Sequence, residues 1–267
     1  MPRLILCADD FAFSRAVSET IVALAQDGKL NAISCMAVMP GWHADSQLLS
    51  GLPKHVDIGL HLTLTGEPPL TPMPALAPAG LLPGINALGR RARGSRIPLD
   101  EITAEVSAQF DAFFAATGRP PAFVDGHQHA HALPGIRDIV LKETARRAPR
   151  AWLRNCVDRP RAMIARPFLG KAIGSAFHSR GLRAAAAAHG LRCNDGFAGH
   201  YDFTSDYAGL FAGFLRQPGA MHLVMCHPGA GNRAGDDIAD ARPREAAALR
   251  RLPIADMAMA AGLAFPR

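Results

Sequence analysis

The chain of 267 residues has no run of about 18 or more apolar residues, which excludes a segment that reads as a transmembrane helix. Met1-Pro2-Arg3 leads straight into a strand-like apolar run instead of a cleavable signal pattern. A soluble, cytoplasmic protein is the expectation. Five cysteines (Cys7, Cys35, Cys156, Cys193 and Cys226) include no CxxC pair, and an odd, scattered set makes no disulfide framework. Buried, reduced thiols are expected. Aromatics are also scarce, with two Tyr and two Trp. The net charge of +6 and pI of about 9.4 therefore meet few rings able to stack on bases, and no nucleic-acid partner is expected. The basic residues sit in the Arg/Gly stretch from Gly89 to Arg96, in Arg146 to Arg150, and around Arg244 to Arg251.

What is present is the alternation of an α/β chain. Leu4 to Ala8 is a continuous apolar run that stops at Asp9-Asp10, the pattern of a buried parallel strand with acids at its C-terminal end. Ser14 is placed to cap a helix that carries Val17, Ile21 and Leu24 at helical spacing and stops at Gly28. Strands are expected at 32–39 and 56–64, a further short one at 122–124, and one ending near Arg154. Residues 68–98, rich in Pro and Gly, read as a long functional loop or lid. Leu99 to Ala116 is a helix with Ile102, Val106, Phe110 and Phe113 on one face. Helices are expected at 136–145, 184–188, 207–215, 244–252 and 254–261, an irregular polar stretch at 197–202, and a buried strand at 220–226. No internal repeat or linker divides the chain. A single α/β domain over residues 1–267 is the economical reading.

Four polar clusters fall where strands end: Asp9-Asp10, His61, the Asp125/His127/His129/His131 group, and His227. In an α/β barrel the loops after those ends converge on one face. Carboxylate and imidazole together suit zinc or another divalent cation, and a three-ligand set leaves a position for water. Taken singly, each cluster has a plainer explanation. Adjacent acids cap helices, and a histidine between leucines belongs in a core. Alternation along an extended segment puts His127, His129 and His131 on one side, which makes that group the most specific of the four.

Ala8-Asp9-Asp10-Phe11, the segment Gly59 to Thr65, the segment Val124 to His131, and Met225 to Gly229 resemble, in order and spacing, the YdjC-like carbohydrate deacetylases. That family includes chitooligosaccharide deacetylases and a hopanoid-associated branch. The resemblance extends over Glu101-Ile102, Glu105 to Gln109, Phe197 to Asp202, and Arg242 with Glu245. It implies a distorted TIM-like (β/α) barrel, a homodimer, and hydrolysis of the acetamide of N-acetylglucosamine-type sugars. It implies Asp10, His61 and His127 as ligands of one divalent metal ion per chain, zinc or magnesium, with Asp9 as general base and His227 as general acid. Asp125, His129 and His131 would orient ligands or face the substrate, and Arg154 would hold a carboxylate or a sugar hydroxyl, with a surface or structural role as the alternative.

One position departs from the family pattern. Ala12 stands where Gly is usual, so the backbone there is expected to avoid conformations that Gly alone adopts easily. Two other functions compete: a metal-dependent barrel hydrolase acting on another amide, and a catalytically silent metal- or sugar-binding protein.

Overall fold

The computed structural model describes residues 2–231 and 233–266. In chain order it comprises β1 (Arg3–Phe11), α1 (Arg15–Gln26), β2 (Ala32–Cys35), α2 (Trp42–Ser46), β3 (Asp57–Leu62), α3 (Ile85–Arg93), α4 (Leu99–Thr117) and β4 (Phe123–Gly126). These are followed by α5 (Ile136–Arg147), β5 (Trp152–Leu153), α6 (Pro160–Ala165), α7 (Leu169–His178), α8 (Leu182–Ala188), β6 (Arg192–Cys193) and β7 (Gly196–Ala198). The chain ends with α9 (Tyr207–Phe214), β8 (Met221–Cys226), α10 (Ala241–Arg251) and α11 (Ile254–Ala260). Short 3-10 turns occupy Gln47–Gly51 and His127–Ala132.

All eight strands lie in one parallel sheet, in the order β6-β5-β4-β3-β2-β1-β8-β7. The edge strands β6 and β7 are separated by only Asn194-Asp195. Two residues cannot cross a flat sheet of eight strands, so the sheet must curl until its edges meet. Residues 192–198 act as one kinked segment: Arg192 and Cys193 pair with β5, and Gly196 to Ala198 pair with β8. Asn194 fastens the seam, accepting from the Asn155 N–H at 2.6 Å and donating to the carbonyls of Asn155 and Gly196. This is the distorted (β/α) barrel in a single α/β domain, with helices outside.

The period of two sorts β1 into two layers. Leu4, Leu6 and Ala8 join the large outer core under the helices, whereas Ile5 and Cys7 pack inside the barrel with Phe123, Trp152, Phe197 and Met225. A side chain on Gly59 would collide with the Phe123 ring, so glycine there is what admits the Phe123–Trp152 stack, with centroids 4.4 Å apart.

Local signals behave as their chemistry requires. Ser14 Oγ accepts from the Val17 N–H, and Val17, Ile21 and Leu24 are buried. α4 buries Ile102, Val106, Phe110 and Phe113, and stops at Gly118, whose φ of 68° is the left-handed cap that glycine permits.

Three expectations need correction. The strand at 32–39 ends at Cys35, because the next residues turn. The stretch at 197–202 is not wholly irregular, since β7 takes residues 196–198 as the closing edge of the sheet. Ala12 does not avoid the left-handed region: its φ is 74°, it is buried, and its N–H is held by Ser18 Oγ at 3.0 Å.

Residues 68–98 do not hang free. They contain α3, and two acids of α4 hold the segment down. Glu105 accepts from the Leu70 and Thr71 N–H groups and the Thr71 hydroxyl, and Glu101 from the Ala75 and Leu76 N–H groups. Among the described residues, no helix is long and apolar enough to cross a membrane.

Candidate active site

Alternation would carry Asp9 into the barrel above Ile5 and Cys7 and turn Asp10 away. Asp10 instead has a φ of 66°, and the β1–β2 register shifts between Ala8 and Phe11. This left-handed residue breaks the period of two, so both adjacent acids line the same cavity. Asp and Asn tolerate that conformation better than most residues. The cavity encloses about 440 Å³ at the C-terminal ends of the strands, and Asp9, Asp10, His61, His127 and His227 all line it.

One ligand atom each from Asp10, His61 and His127 lie within 4.8 Å of one another. Asp10 Oδ1 is 3.0 Å from His127 Nδ1 and 3.4 Å from His61 Nε2. The other carboxylate oxygen is held by Arg242 Nη2 at 2.9 Å. His61 is fixed from behind. Its Nδ1 lies 2.7 Å from Asp125 Oδ1 and 2.9 Å from Ser34 Oγ, and the Ser34 hydroxyl donates to Asp125 Oδ1 at 2.5 Å. That contact fixes which ring nitrogen faces Asp10, as carboxylate–histidine pairs behind metals do. Burial opposes a charged His61, but the Asp125 and Asp10 carboxylates outweigh it and raise its pKa to about 10. For Asp10, too, burial is outweighed: Arg242 and His127 hold it well below the usual carboxylate range. The pocket floor favours a positive charge between one carboxylate oxygen and two imidazoles. This donor set fits a divalent cation.

A second convergence, of Cys7, Asp9 and Asp125, already holds a cation of its own. The Arg154 guanidinium reaches both oxygens of Asp9, at 2.5 and 2.6 Å, pairs with Asp125, and touches Cys7 Sγ at 3.3 Å. Arg154 is fully buried, and the groups it grips are the protein's own carboxylates.

His227 follows β8 and faces the cavity, with Nε2 3.9 Å from Asp9 Oδ2. Its backbone N–H donates to Glu245 Oε2 at 2.6 Å, and its Nδ1 lies 4.0 Å from Glu245 Oε1. Tyr201 donates to the same carboxylate at 2.5 Å. Burial raises the pKa of Glu245, although His227 and Tyr201 oppose the rise.

The histidine cluster is not arranged as an extended segment would have it. Gln128 and His129 have φ of 51° and 61° inside a 3-10 turn, so the three rings diverge. His127 joins Asp10 and His61. His129 lines the cavity wall beside Phe197 and His200, and burial, reinforced by Arg154, holds its pKa well below the usual histidine value. His131 lies beneath, with Nε2 donating to the Arg154 carbonyl at 2.9 Å, and burial lowers its pKa to about 4.

Arg242 and Glu245 carried no signal of their own in the sequence beyond the resemblance, although their separation of three on one helix places both on the face towards the strand ends. Ser34 was missed. Its only mark was a hydroxyl inside the apolar strand Ala32–Cys35.

Fold and site together define an α/β-barrel protein with a carboxylate–imidazole centre, suited to a cation, at the C-terminal ends of its strands. More particularly, the chain belongs to the YdjC-like protein family, whose model matches residues 3–258. It is similar to a chitooligosaccharide deacetylase of Proteus mirabilis (strain HI4320), 36% identical over 145 residues, which cover 54% of this chain and 56% of that protein. The match thus spans little more than half the length of that relative. A chitooligosaccharide deacetylase of Citrobacter koseri is 32% identical over 193 residues, 68% of this chain and 75% of that one. A solved Enterococcus faecalis V583 structure, provisionally described as a cellobiose-phosphate cleavage protein, shares the fold with a TM-score of 0.74. At 19% identity it covers 100% of this chain and 97% of its own.

Proposed function

We propose that the protein is a metal-dependent carbohydrate deacetylase that hydrolyses the acetamide of N-acetylglucosamine-type sugars. The observation that carries this reading is the meeting, in one cavity, of Asp10, His61 and His127 with two further proton-handling groups, Asp9 and His227. Asp10, His61 and His127 would hold one divalent ion per chain, zinc or magnesium. Such an ion supplies polarisation of the acetamide carbonyl and acidifies water in the pocket.

The chain's own residues divide the proton transfers. Asp9, locked by two Arg154 contacts, is the general base that takes the proton from the attacking water. His227 lies near Asp9 with Nε2 exposed to the cavity, and it delivers a proton to the amine nitrogen, a poor leaving group until protonated. Glu245 accepts from the His227 backbone N–H and lies 4.0 Å from its Nδ1, where its charge favours a protonated ring. Asp125 and Ser34 orient His61. His129 contributes an aromatic wall with His200 and Phe197, where the sugar would rest. A homodimer, carried over from the family resemblance, and a cytoplasmic location, expected from the sequence, belong to the same proposal.

Acetate release from N-acetylglucosamine and short chitooligosaccharides tests this reading, using metal-stripped protein reloaded separately with zinc and magnesium. Release that returns with one metal is expected. A protein that binds metal stoichiometrically yet releases no acetate from either sugar contradicts action on free sugars. It would move the substrate to a lipid-linked sugar such as a hopanoid derivative, to another amide, or to a binding role without turnover.

A further inference from the structure

α7 is an apolar helix, Leu-Gly-Lys-Ala-Ile-Gly-Ser-Ala-Phe-His, that buries only Ser175. Leu169, Ile173 and Phe177, spaced by four, lie on one face and are 37%, 53% and 62% exposed; Ile164 of the neighbouring α6 is 71% exposed. Four of the nine exposed large hydrophobics among the described residues thus fall within fourteen residues of chain. Exposed apolar side chains grouped this way mark a contact surface, whereas isolated ones need no explanation.

The chain segment that carries this face has charge of one sign. From Arg159 to Arg192 there is no Asp or Glu, while Arg159, Arg161, Lys171, Arg180, Arg183 and Arg192 are all exposed. The flanking acids offset only Arg159, which lies 3.7 Å from Asp158 Oδ1. Asp158 is buried against Arg166, and Asp195 accepts from the Ala220 and Met221 N–H groups. Lys171, in the first turn of α7, lines the mouth of the cavity beside Tyr201 and Phe203, on the side of the helix away from the Leu169/Ile173/Phe177 face.

We propose that the α6–α7 face docks on an anionic lipid bilayer, with Ile164, Leu169, Ile173 and Phe177 entering the interface and the surrounding arginines facing the headgroups. Charge complementarity selects this occupant. A symmetric contact with a second copy would set the same basic patch against itself, whereas an anionic surface neutralises it. The inference does not depend on which bond the active site breaks.

Co-sedimentation of the full chain with vesicles of phosphatidylcholine, with and without phosphatidylglycerol, tests the proposal. Binding to the anionic vesicles, weakened by salt, is expected, and Ile173→Ser/Phe177→Ser should reduce it roughly tenfold or more without lowering the thermal midpoint. Arg180→Glu/Arg183→Glu, which leaves the apolar face intact, should reduce it too. Failure of the wild type to bind anionic vesicles overturns the proposal, as does binding that both variants retain. So does a concentration-dependent dimer lost in Ile173→Ser/Phe177→Ser without vesicle binding, which would assign the face to a second copy.

Discussion

Arg154 grips Asp9 with both terminal nitrogens, at 2.5 and 2.6 Å, from a fully buried position behind the cavity wall that Asp9 lines. Asp9 and Asp125 both pair with this one cation. Removing one partner of a buried pair leaves an uncompensated charge. Arg154→Met should therefore lose about 3–5 kcal/mol in urea unfolding at neutral pH. Arg154→Lys keeps the charge but not the fork, so it should fold and lose roughly 10–100-fold in acetate release at unchanged metal content. Full activity in Arg154→Lys would mean that Asp9 does not need its fixed orientation.

The left-handed backbone at Ala12 makes a prediction of opposite sign. A φ of 74° costs an alanine about 1 kcal/mol that glycine does not incur. Ala12→Gly should raise the thermal midpoint by about 2 °C. A lowered midpoint would show that the buried Ala12 methyl contributes more through packing than its backbone loses.

Stability should fall in mild acid through a histidine far from the cavity. Burial, helped by Arg166, lowers the pKa of His222 from 6.5 to about 4, and its Nε2 donates to the Phe214 carbonyl. Between those pH values the unfolded chain binds the proton and the folded chain does not, so stability rises with pH across that window. This contribution, on the order of 3 kcal/mol, is fully present above pH 6.5 and lost as pH falls towards 4. His222→Gln should flatten that part of the pH profile in urea titrations. An unchanged slope would assign the acid sensitivity to the other buried histidines, His131 and His200, both lowered to about 4.

The sequence displayed what is written in periodicity. The Leu4–Ala8 run, the Ser14 cap and the four-residue face of α4 were legible because each follows from neighbours within one turn or one strand. The strand ends bearing Asp9, Asp10, His61, His127 and His227 were legible for the same reason, and the structure brings them to one cavity. Positive φ at Asp10, Ala12, Gln128 and His129 was not legible, since no local pattern demands it from non-glycine residues. Yet the torsions at Asp10, Gln128 and His129 bring both acids to the pocket and leave His131 out of it. Arg154 illustrates the other limit. Its partners lie 145 and 29 positions away, at Asp9 and Asp125, and only closure of the barrel brings them together.

The central claim is that Asp10, His61 and His127 jointly hold one divalent ion, and the metal content of purified protein tests it most directly. Wild-type protein, stripped and dialysed separately against zinc and magnesium, should retain one equivalent of one of them, whereas His127→Ala and Asp10→Ala should retain none while staying folded by circular dichroism. Undiminished metal in His127→Ala would remove that residue from the ligand set, and wild-type protein that retains neither metal would contradict the account.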